Sequence, residues 1–195
     1  MNSKTRSTPV IAAFRLLFVA LTGLTVGACS KGDHHAGSTS DAGNQAARME
    51  SAVATLAPTQ GNKVTGTVAF VREPNGIRVT ARIQGLAEGD HGFHVHEKGD
   101  CSAPDGSSAG GHFNPTNLPH AGRDAQQRHV GDLGNLTADA NGVASVNFVD
   151  SHLELSGPNS IIGKAVIVHA GPDDFTSQPS GNAGGRVACG VIESK

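Results

Sequence analysis

The stretch GFHVHEKGDC, residues 92–101, limits what this chain can fold into more than any other part of it. His94 and His96 are two residues apart, and side chains at that spacing face the same way only on an extended strand. On such a strand, Phe93 and Val95 would face an apolar core on the opposite side. The pattern predicts a strand that holds two imidazoles toward one metal ion. The alternative is a half-exposed strand that merely carries histidines.

Alternating apolar and polar residues indicate further strands along most of the chain after residue 51. Asn75-Gly76 and Asn141-Gly142 are typical of the tight turns that join the two strands of a hairpin. The chain has 26 glycines, 7 phenylalanines and no tryptophan or tyrosine, which suits short strands and turns better than long helices. We predict eight strands, over residues 52–59, 64–70, 77–84, 92–96, 134–138, 143–148, 164–169 and 186–192.

Two long segments, residues 97–132 and 170–185, show no strand periodicity. Irregular segments of this length inside a compact domain need something other than an apolar core to order them. The strands are expected to pair antiparallel throughout. The sequence therefore predicts one all-β domain, an antiparallel sandwich or flattened barrel with two long loops.

The N-terminal 29 residues have the composition of a targeting segment rather than of a folded element. Lys4 and Arg6 precede an apolar run over residues 16–21, which is too short for the roughly 20 residues of a spanning helix. Residues 26–29, VGAC, resemble a bacterial lipobox, in which Cys29 becomes the lipidated first residue of the mature protein. A plain signal peptide cleaved near Ala28 is the alternative. Both predict a location outside the cytosol, and the lipobox predicts a periplasmic protein tethered to a membrane by lipid.

Residues 30–50 are rich in Ser, Gly, Asp and Ala and predict a flexible tether ahead of a domain over residues 51–195. His34 and His35 in this tether could capture a metal ion, but polar linker is the favoured interpretation. After Cys29 the chain has 12 basic and 17 acidic residues, a formal charge of -5. This balance argues against nucleic acid as a partner, and an anionic substrate would need local attraction.

The cysteines agree with an oxidising compartment. The chain has three, and assigning Cys29 to lipid leaves Cys101 and Cys189 as an even pair. A bridge between these two would close a loop of about 88 residues and stabilise the fold by about 4–5 kcal/mol on chain-entropy grounds.

The first long loop contains four residues suited to zinc: His112, His120, His129 and Asp132. Three imidazoles and a carboxylate make a closed tetrahedral set, and a metal ion bound there would order the loop. The alternative is a flexible loop with scattered surface histidines.

A second set begins with the strand histidines. His169 ends a predicted strand on which Val166 and Val168 would face the core. Together with His94, His96 and one loop imidazole, it makes a nitrogen-rich set of the kind that copper(II) prefers. These seven candidate ligands are one short of two separate sets of four, so one imidazole must serve both ions.

Residues 92–101 and 181–192 are similar to the two signatures of the copper-zinc superoxide dismutases, and residues 111–115 and 128–134 match that family's zinc loop. The resemblance covers about residues 51–192. It implies an eight-stranded antiparallel Greek-key barrel with a metal-binding loop and an electrostatic loop.

The resemblance also implies a role for each site residue. Copper would be held by His94, His96, His112 and His169. Zinc would be held by His112, His120, His129 and Asp132, with His112 as the bridging ligand.

Three further roles follow from the same resemblance. Asp173 would link one copper ligand to one zinc ligand, here His94 and His120. Arg186 would bind the incoming anion. The Cys101–Cys189 disulfide would tie the long loop to the last strand and so keep Arg186 in place.

The implied activity is dismutation of superoxide to dioxygen and hydrogen peroxide, with one copper and one zinc per subunit. The subunits are expected to form a homodimer, a monomer being the alternative. A copper/zinc-binding or copper-delivery module without turnover is the rival function, and a zinc hydrolase is disfavoured because the zinc set is closed. The chain departs from the family in having no lysine between His169 and Arg186, and Lys98 is a candidate substitute for drawing in substrate.

Overall fold

The computed structural model describes residues 50–195. Predictions that fall on earlier residues, namely the signal peptide, lipid on Cys29, most of the tether and any role of His34 and His35, lie outside this range. Among residues 50–195, no helix is long and apolar enough to cross a membrane. The elements are β1 Ser51–Pro58, β2 Thr65–Glu73, β3 Gly76–Gln84, β4 Gly89–His96, a 3-10 turn Ser107–Ala109, β5 Asp132–Ala138, β6 Val143–Asp150, β7 Ala165–His169 and β8 Arg186–Ser194.

The eight strands close into a barrel in the order β1-β2-β3-β6-β5-β4-β7-β8. Every pair of neighbours runs antiparallel. Strand β3 lies beside β6, and β4 lies beside β7, so connections cross the ends of the barrel in the Greek-key manner. The predicted all-β antiparallel fold is confirmed, and its closed form is a barrel rather than an open sandwich.

The two predicted hairpin turns differ from the prediction in detail. Pro74 and Asn75 form the first turn, because Gly76 already pairs with Glu73 as the first residue of β3. A Cβ on Gly76 would lie 2.3 Å from the carbonyl oxygen of Asp150, so this position accepts no side chain. The second turn, Asp139–Gly142, joins β5 to β6, yet these strands pair at one position only, and β6 pairs along its length with β3.

The predicted alternation of apolar residues and histidines along β4 and β7 is confirmed. It places the apolar side chains on the inner face of the barrel wall and the metal-site histidines on the outer face. Phe93, Val95, Val166 and Val168 are fully buried in the main apolar core. His94, His96 and His169 of the same strands point to the outer face, where each bonds to a residue of one of the two long loops. Register in β4 places His94 opposite Ile167 of β7 on one side and Asp132 of β5 on the other.

The first long loop is anchored to β4 and β8. Residues Gly111 and Phe113 exchange backbone hydrogen bonds with the end of β4, and His112 forms an isolated bridge with His96. Cys101 and Cys189 form a disulfide with a Cα–Cα distance of 5.8 Å, which ties the start of this loop to β8. The irregular segment is therefore held near its start and at its middle against the outer face of the barrel.

Candidate metal centre

Four buried histidines meet on the outer face of β4 and β7. His94, His96 and His169 come from strands and His112 from the first long loop, and one ring nitrogen of each lies within 4.8 Å of the others. His94 Nδ1 and the Nε2 atoms of the other three are buried and have no hydrogen-bond partner among residues 50–195. A buried unpaired polar atom is costly, so four of them facing one another indicate a site for a cation that accepts four nitrogen ligands.

The second nitrogen of each strand imidazole is held by an acceptor. His96 Nδ1 lies 2.9 Å from the carbonyl oxygen of Gly110, and His169 Nδ1 lies 3.1 Å from that of Gly184. Because a carbonyl accepts but cannot donate, the ring proton lies on that side and the unpaired nitrogen presents a lone pair. Partners of this kind fix ring orientation at metal sites.

A second cluster shares His112 with the first. The Nδ1 atoms of His112, His120 and His129 lie 2.8, 2.9 and 3.2 Å from Oδ1 of Asp132. His129 Nδ1 lies 3.4 Å from His112 Nδ1. Ligands of a tetrahedral zinc ion stand about 3.3 Å apart, given roughly 2.0–2.1 Å metal–nitrogen bonds. The four distances in the cluster range from 2.8 to 3.4 Å, so an ion would fit after a small outward shift of the ligand atoms.

Burial keeps three of the four imidazoles of the first cluster neutral, namely those of His96, His112 and His169. It lowers the pKa of His112 to about 4 and that of His169 to about 3, and it lowers the pKa of His96 well below its usual value. Neighbouring imidazoles lower all three further. A metal ion needs neutral imidazole, so no proton has to be displaced from these three rings at neutral pH.

The second cluster is organised by carboxylates. Burial alone would raise the pKa of Asp132, but hydrogen bonds with the three histidines around it hold that pKa well below its usual range. Burial would likewise lower the pKa of His120, yet its bonds to Asp132 and Asp173 outweigh burial and raise it to about 9. At neutral pH the second cluster thus pairs the negative charge of Asp132 with a protonated His120, whose proton a bound cation would displace.

Asp173 connects the two clusters through a path separate from His112. Its Oδ2 lies 2.8 Å from His94 Nε2, and its Oδ1 lies 2.9 Å from His120 Nε2. Asn135 of β5 holds the backbone of Asp173 with two hydrogen bonds, at 2.8 and 2.9 Å. A Cβ on Gly181 would lie 1.8 Å from Asp173 Oδ1, so the second long loop closes over this carboxylate only with glycine there.

Arg186 stands at the mouth of the first cluster. Its Nη1 and Nη2 each donate to a loop carbonyl at 2.6 Å, those of Gly106 and Gly110. With His112 and His169 it lines a cavity of about 390 Å³. Burial lowers the pKa of Arg186, but a guanidinium keeps its charge at neutral pH. A small anion entering this cavity meets Arg186 and the unpaired nitrogens together.

The structure thus brings together every site residue predicted from the sequence except Cys29, which lies outside the described residues. Lys98 lies in a neighbouring cavity rather than beside Arg186.

Three residues that support the site were not predicted. His91 is buried, with its ring nitrogens 2.8 Å from the carbonyl of His169 and 3.0 Å from that of Ala87. Arg128 is buried and donates to Asp150 at 2.6 Å. Gln178 bonds to the backbone of His120. His91 and Arg128 adjoin the signature and a ligand in sequence, which could have drawn notice, whereas nothing in the sequence marks Gln178.

A Greek-key barrel with a four-imidazole site and a three-imidazole, one-carboxylate site that share a single ring defines a dinuclear metalloprotein. All-nitrogen sets suit copper(II), and closed tetrahedral sets suit zinc.

Comparisons with known proteins agree with this class. The sequence model of the family described as copper/zinc superoxide dismutase matches residues 64–192. The chain is 44% identical over 155 residues to an "Extracellular superoxide dismutase [Cu-Zn]" of Brugia pahangi, covering 74% of this chain and 76% of that one. A solved structure titled as that of the clock protein EA4 shares 40% identity with a TM-score of 0.69, covering 84% of this chain and 100% of that one. The chain belongs to the copper/zinc superoxide dismutase family. It is a superoxide dismutase, an oxidoreductase whose cofactors are copper and zinc.

Proposed function

We propose that this enzyme dismutates superoxide by a copper redox cycle in which His112 serves both metal sites. Copper would be held by His94, His96, His112 and His169, and zinc by His112, His120, His129 and Asp132. The observation that supports this most is the position of His112. Its Nδ1 lies among the second cluster, while its Nε2 is one of the four unpaired nitrogens of the first.

Copper bound in the first cluster would supply the one-electron chemistry, by which one superoxide is oxidised to dioxygen and a second, taking two protons, is reduced to hydrogen peroxide. The role of Arg186 is to bind each anion in turn. Each of its two terminal nitrogens donates a hydrogen bond to a backbone carbonyl, and these bonds hold the side chain in one rotamer and the guanidinium in one orientation. Such a fixed cation attracts an anion without reorganising at the moment of reaction.

His112 would supply one of the two protons. Nε2 takes up a proton between the two half-reactions and gives it to the second superoxide, and the other proton comes from solvent in the cavity. Burial lowers the pKa of His112 to about 4, so at neutral pH the ring carries a single proton, which can lie on Nε2 while Nδ1 faces the second cluster without one. Asp132 and His129 near Nδ1 keep the ring aimed through the cycle.

Metal analysis combined with a superoxide assay on the purified protein tests this function. We expect one copper and one zinc per chain and rapid superoxide decay, lost on copper chelation and restored by copper alone. His112→Ala should retain copper in part but lose the link between the sites, with a large fall in rate per bound copper. Full activity per copper in His112→Ala would contradict the proposed role of this ring.

A copper-delivery module on the same scaffold is the second candidate. It would bind copper and pass it to an acceptor without turnover. The ordered Arg186 over the cluster has no use in such a module, and this favours the enzyme. Copper binding with no superoxide decay would reverse the choice.

We also propose that the domain over residues 51–195 works outside the cytosol, attached through residues 30–50 to lipid on Cys29 after removal of the preceding segment. The lipobox-like residues 26–29, the Cys101–Cys189 disulfide and the extracellular relative support this. Labelled palmitate should enter the wild-type protein in cells and not Cys29→Ala. Unlabelled wild type, or activity released with the cytosol, would contradict it.

The assembly proposed is a homodimer, by resemblance to the family, with a monomer as the alternative. Sedimentation velocity of the metal-loaded protein decides between them, and a single species at the monomer mass rejects the dimer.

A further inference from the structure

The second long loop, residues 170–185, holds the first through a side chain that the proposed mechanism does not use. Gln178 Oε1 accepts a hydrogen bond from the backbone N–H of His120 at 2.8 Å, and its Nε2 donates to the backbone carbonyl of the same residue at 2.8 Å. We propose that Gln178 is a positioning residue that fixes His120 in the zinc site and so controls how firmly the enzyme retains zinc. This rests on the zinc role proposed above for His120.

The amide of Gln178 replaces a backbone partner. Within residues 50–195, His120 makes no backbone–backbone hydrogen bond, so the two ends of the glutamine amide satisfy both of its main-chain groups. One neutral side chain with a donor and an acceptor at matched spacing does this, as a neighbouring strand would. Without it, His120 sits on an irregular loop whose backbone has no fixed neighbour at this position.

The segment that presents Gln178 is ordered by its own hydrogen bonds. Asp174 Oδ1 accepts from the N–H groups of Thr176 at 2.9 Å and Ser177 at 2.8 Å. The backbone closes the turn, with Asp174 N–H donating to Gly181 at 2.9 Å and Gly181 N–H to Ser177 at 2.6 Å. The glutamine therefore extends from a rigid turn, and holding His120 costs little side-chain freedom beyond its own.

The same loop holds His120 twice. Asp173 bonds to the ring at Nε2, and Gln178 bonds to the backbone, so ring and main chain are fixed together. Pro179 and Ser180, which follow Gln178 directly, line the cavity that contains Arg186. The two hydrogen bonds between Gln178 and His120 thus connect the wall of this cavity to a proposed zinc ligand. Partners outside the ligand set commonly change metal affinity by about 10–100-fold when removed.

The test compares metal release from the copper- and zinc-loaded full-length protein. Gln178→Met keeps the length and volume of the side chain and removes both hydrogen bonds. Thr176→Val is the matched control in the same turn, because its hydroxyl bonds only to Asp174. Zinc release to an excess of a chromogenic chelator, copper release, and thermal unfolding of the metal-free proteins are measured for wild type and both variants.

We expect zinc to leave Gln178→Met about tenfold faster than wild type. Copper release, unfolding temperature and Thr176→Val should each stay close to wild type. Equal zinc release from Gln178→Met and wild type overturns the proposal, as does equal acceleration in Thr176→Val or a parallel rise in copper release, which would mean general loosening. A wild-type protein that retains no zinc overturns the proposed zinc site as well. If wild type binds zinc and Gln178→Met releases it at the same rate, only the proposed role of Gln178 is overturned.

Discussion

The pKa of individual histidines divides the site into groups with opposite responses to pH. His96, His112 and His169 have folded pKa values below the ordinary value of 6.5, chiefly because they are buried. His120 has a folded pKa of about 9 because Asp132 and Asp173 bond to it. A lowered histidine pKa adds stability that is present above pH 6.5 and is lost as pH falls. A raised one adds stability that is present below pH 6.5 and is lost as pH rises through the folded value.

We therefore expect the metal-free protein to be most stable near pH 6.5. From pH 6.5 to about 4.5, each lowered histidine removes up to about 1.4 kcal/mol per pH unit as the unfolded chain takes up its proton. From pH 6.5 to about 9, loss of the His120 proton lowers stability from the other side. Urea unfolding of the metal-free protein at pH 4.5, 6.5 and 9 measures both limbs. A free energy of unfolding that rises from pH 6.5 to 4.5 would contradict the assignment.

Arg186 depends on geometry as well as charge. Lysine keeps the positive charge but cannot donate to two carbonyls in the fixed planar arrangement that the guanidinium has. We expect Arg186→Leu to lower the second-order rate constant for superoxide by about tenfold or more, and Arg186→Lys by less, with both metals retained. Pulse radiolysis gives the rate, and metal content by mass spectrometry is the control. Equal rates for the two variants, both below wild type, would show that positive charge without the fixed guanidinium contributes nothing, and rates equal to wild type would show that Arg186 does not act on the substrate.

At the scale of elements, the strands could be predicted from the sequence because each carries its own periodicity. Phe93 and Val95 face the apolar core and alternate with His94 and His96, which are buried against the two long loops. Which strands pair with each other could not be predicted from the same periodicity. Asn141-Gly142 predicts a hairpin, but β6 leaves β5 after one pair and follows β3, because the choice of neighbour depends on the whole barrel.

Ligands and their supports differ in the same way. The residues of the two clusters could be predicted because only a few residue types bind copper or zinc, and their number and order restrict the sets. The role of Gln178 could not be predicted, because nothing in the sequence distinguishes it from other polar loop residues. Its partner His120 is also 58 residues away in the chain. The Arg186 carbonyl partners are backbone groups, which sequence does not distinguish at all.

The disulfide links two elements that both position Arg186. Cys189 lies on β8 three residues after Arg186, and Cys101 begins the loop that supplies the carbonyls of Gly106 and Gly110. We expect the double variant Cys101→Ser, Cys189→Ser to lose about 2–5 kcal/mol of unfolding free energy. Activity per bound copper should fall as well, since the carbonyls are no longer held against the guanidinium.

Calorimetry and a superoxide assay normalised to copper measure the two effects of removing the bridge. Reduction of the wild-type protein without substitution should reproduce both, which separates the missing bond from the introduced serines. Unchanged activity per copper in the reduced protein would show that the loop holds Arg186 without the bridge.

At the scale of the whole molecule, the net negative charge of the protein repels its anionic substrate. The chain after Cys29 has a formal charge of -5, and superoxide is an anion. The loop from 170 to 185 has no lysine, but Lys98 and Lys164 line a cavity of about 350 Å³ beside the site. Asn114 lines both this cavity and the one that contains Arg186, so the two are adjacent. The Nζ of Lys164 lies 4.8 Å from the centre of the Phe113 ring. Phe113 directly follows His112 in the chain.

These two lysines are placed to raise the local concentration of anions next to the Arg186 cavity. Replacing both with glutamine should lower the second-order rate constant several-fold at about 10 mM salt, where charges act over roughly 30 Å. At about 1 M salt the range shrinks to roughly 3 Å, and the variant should approach wild type. Lys63→Gln, which removes the same charge from a loop that lines neither cavity, is the control. A fall of equal size at both ionic strengths would mean that the lysines shape the site rather than attract the substrate, because only a long-range attraction is screened by salt.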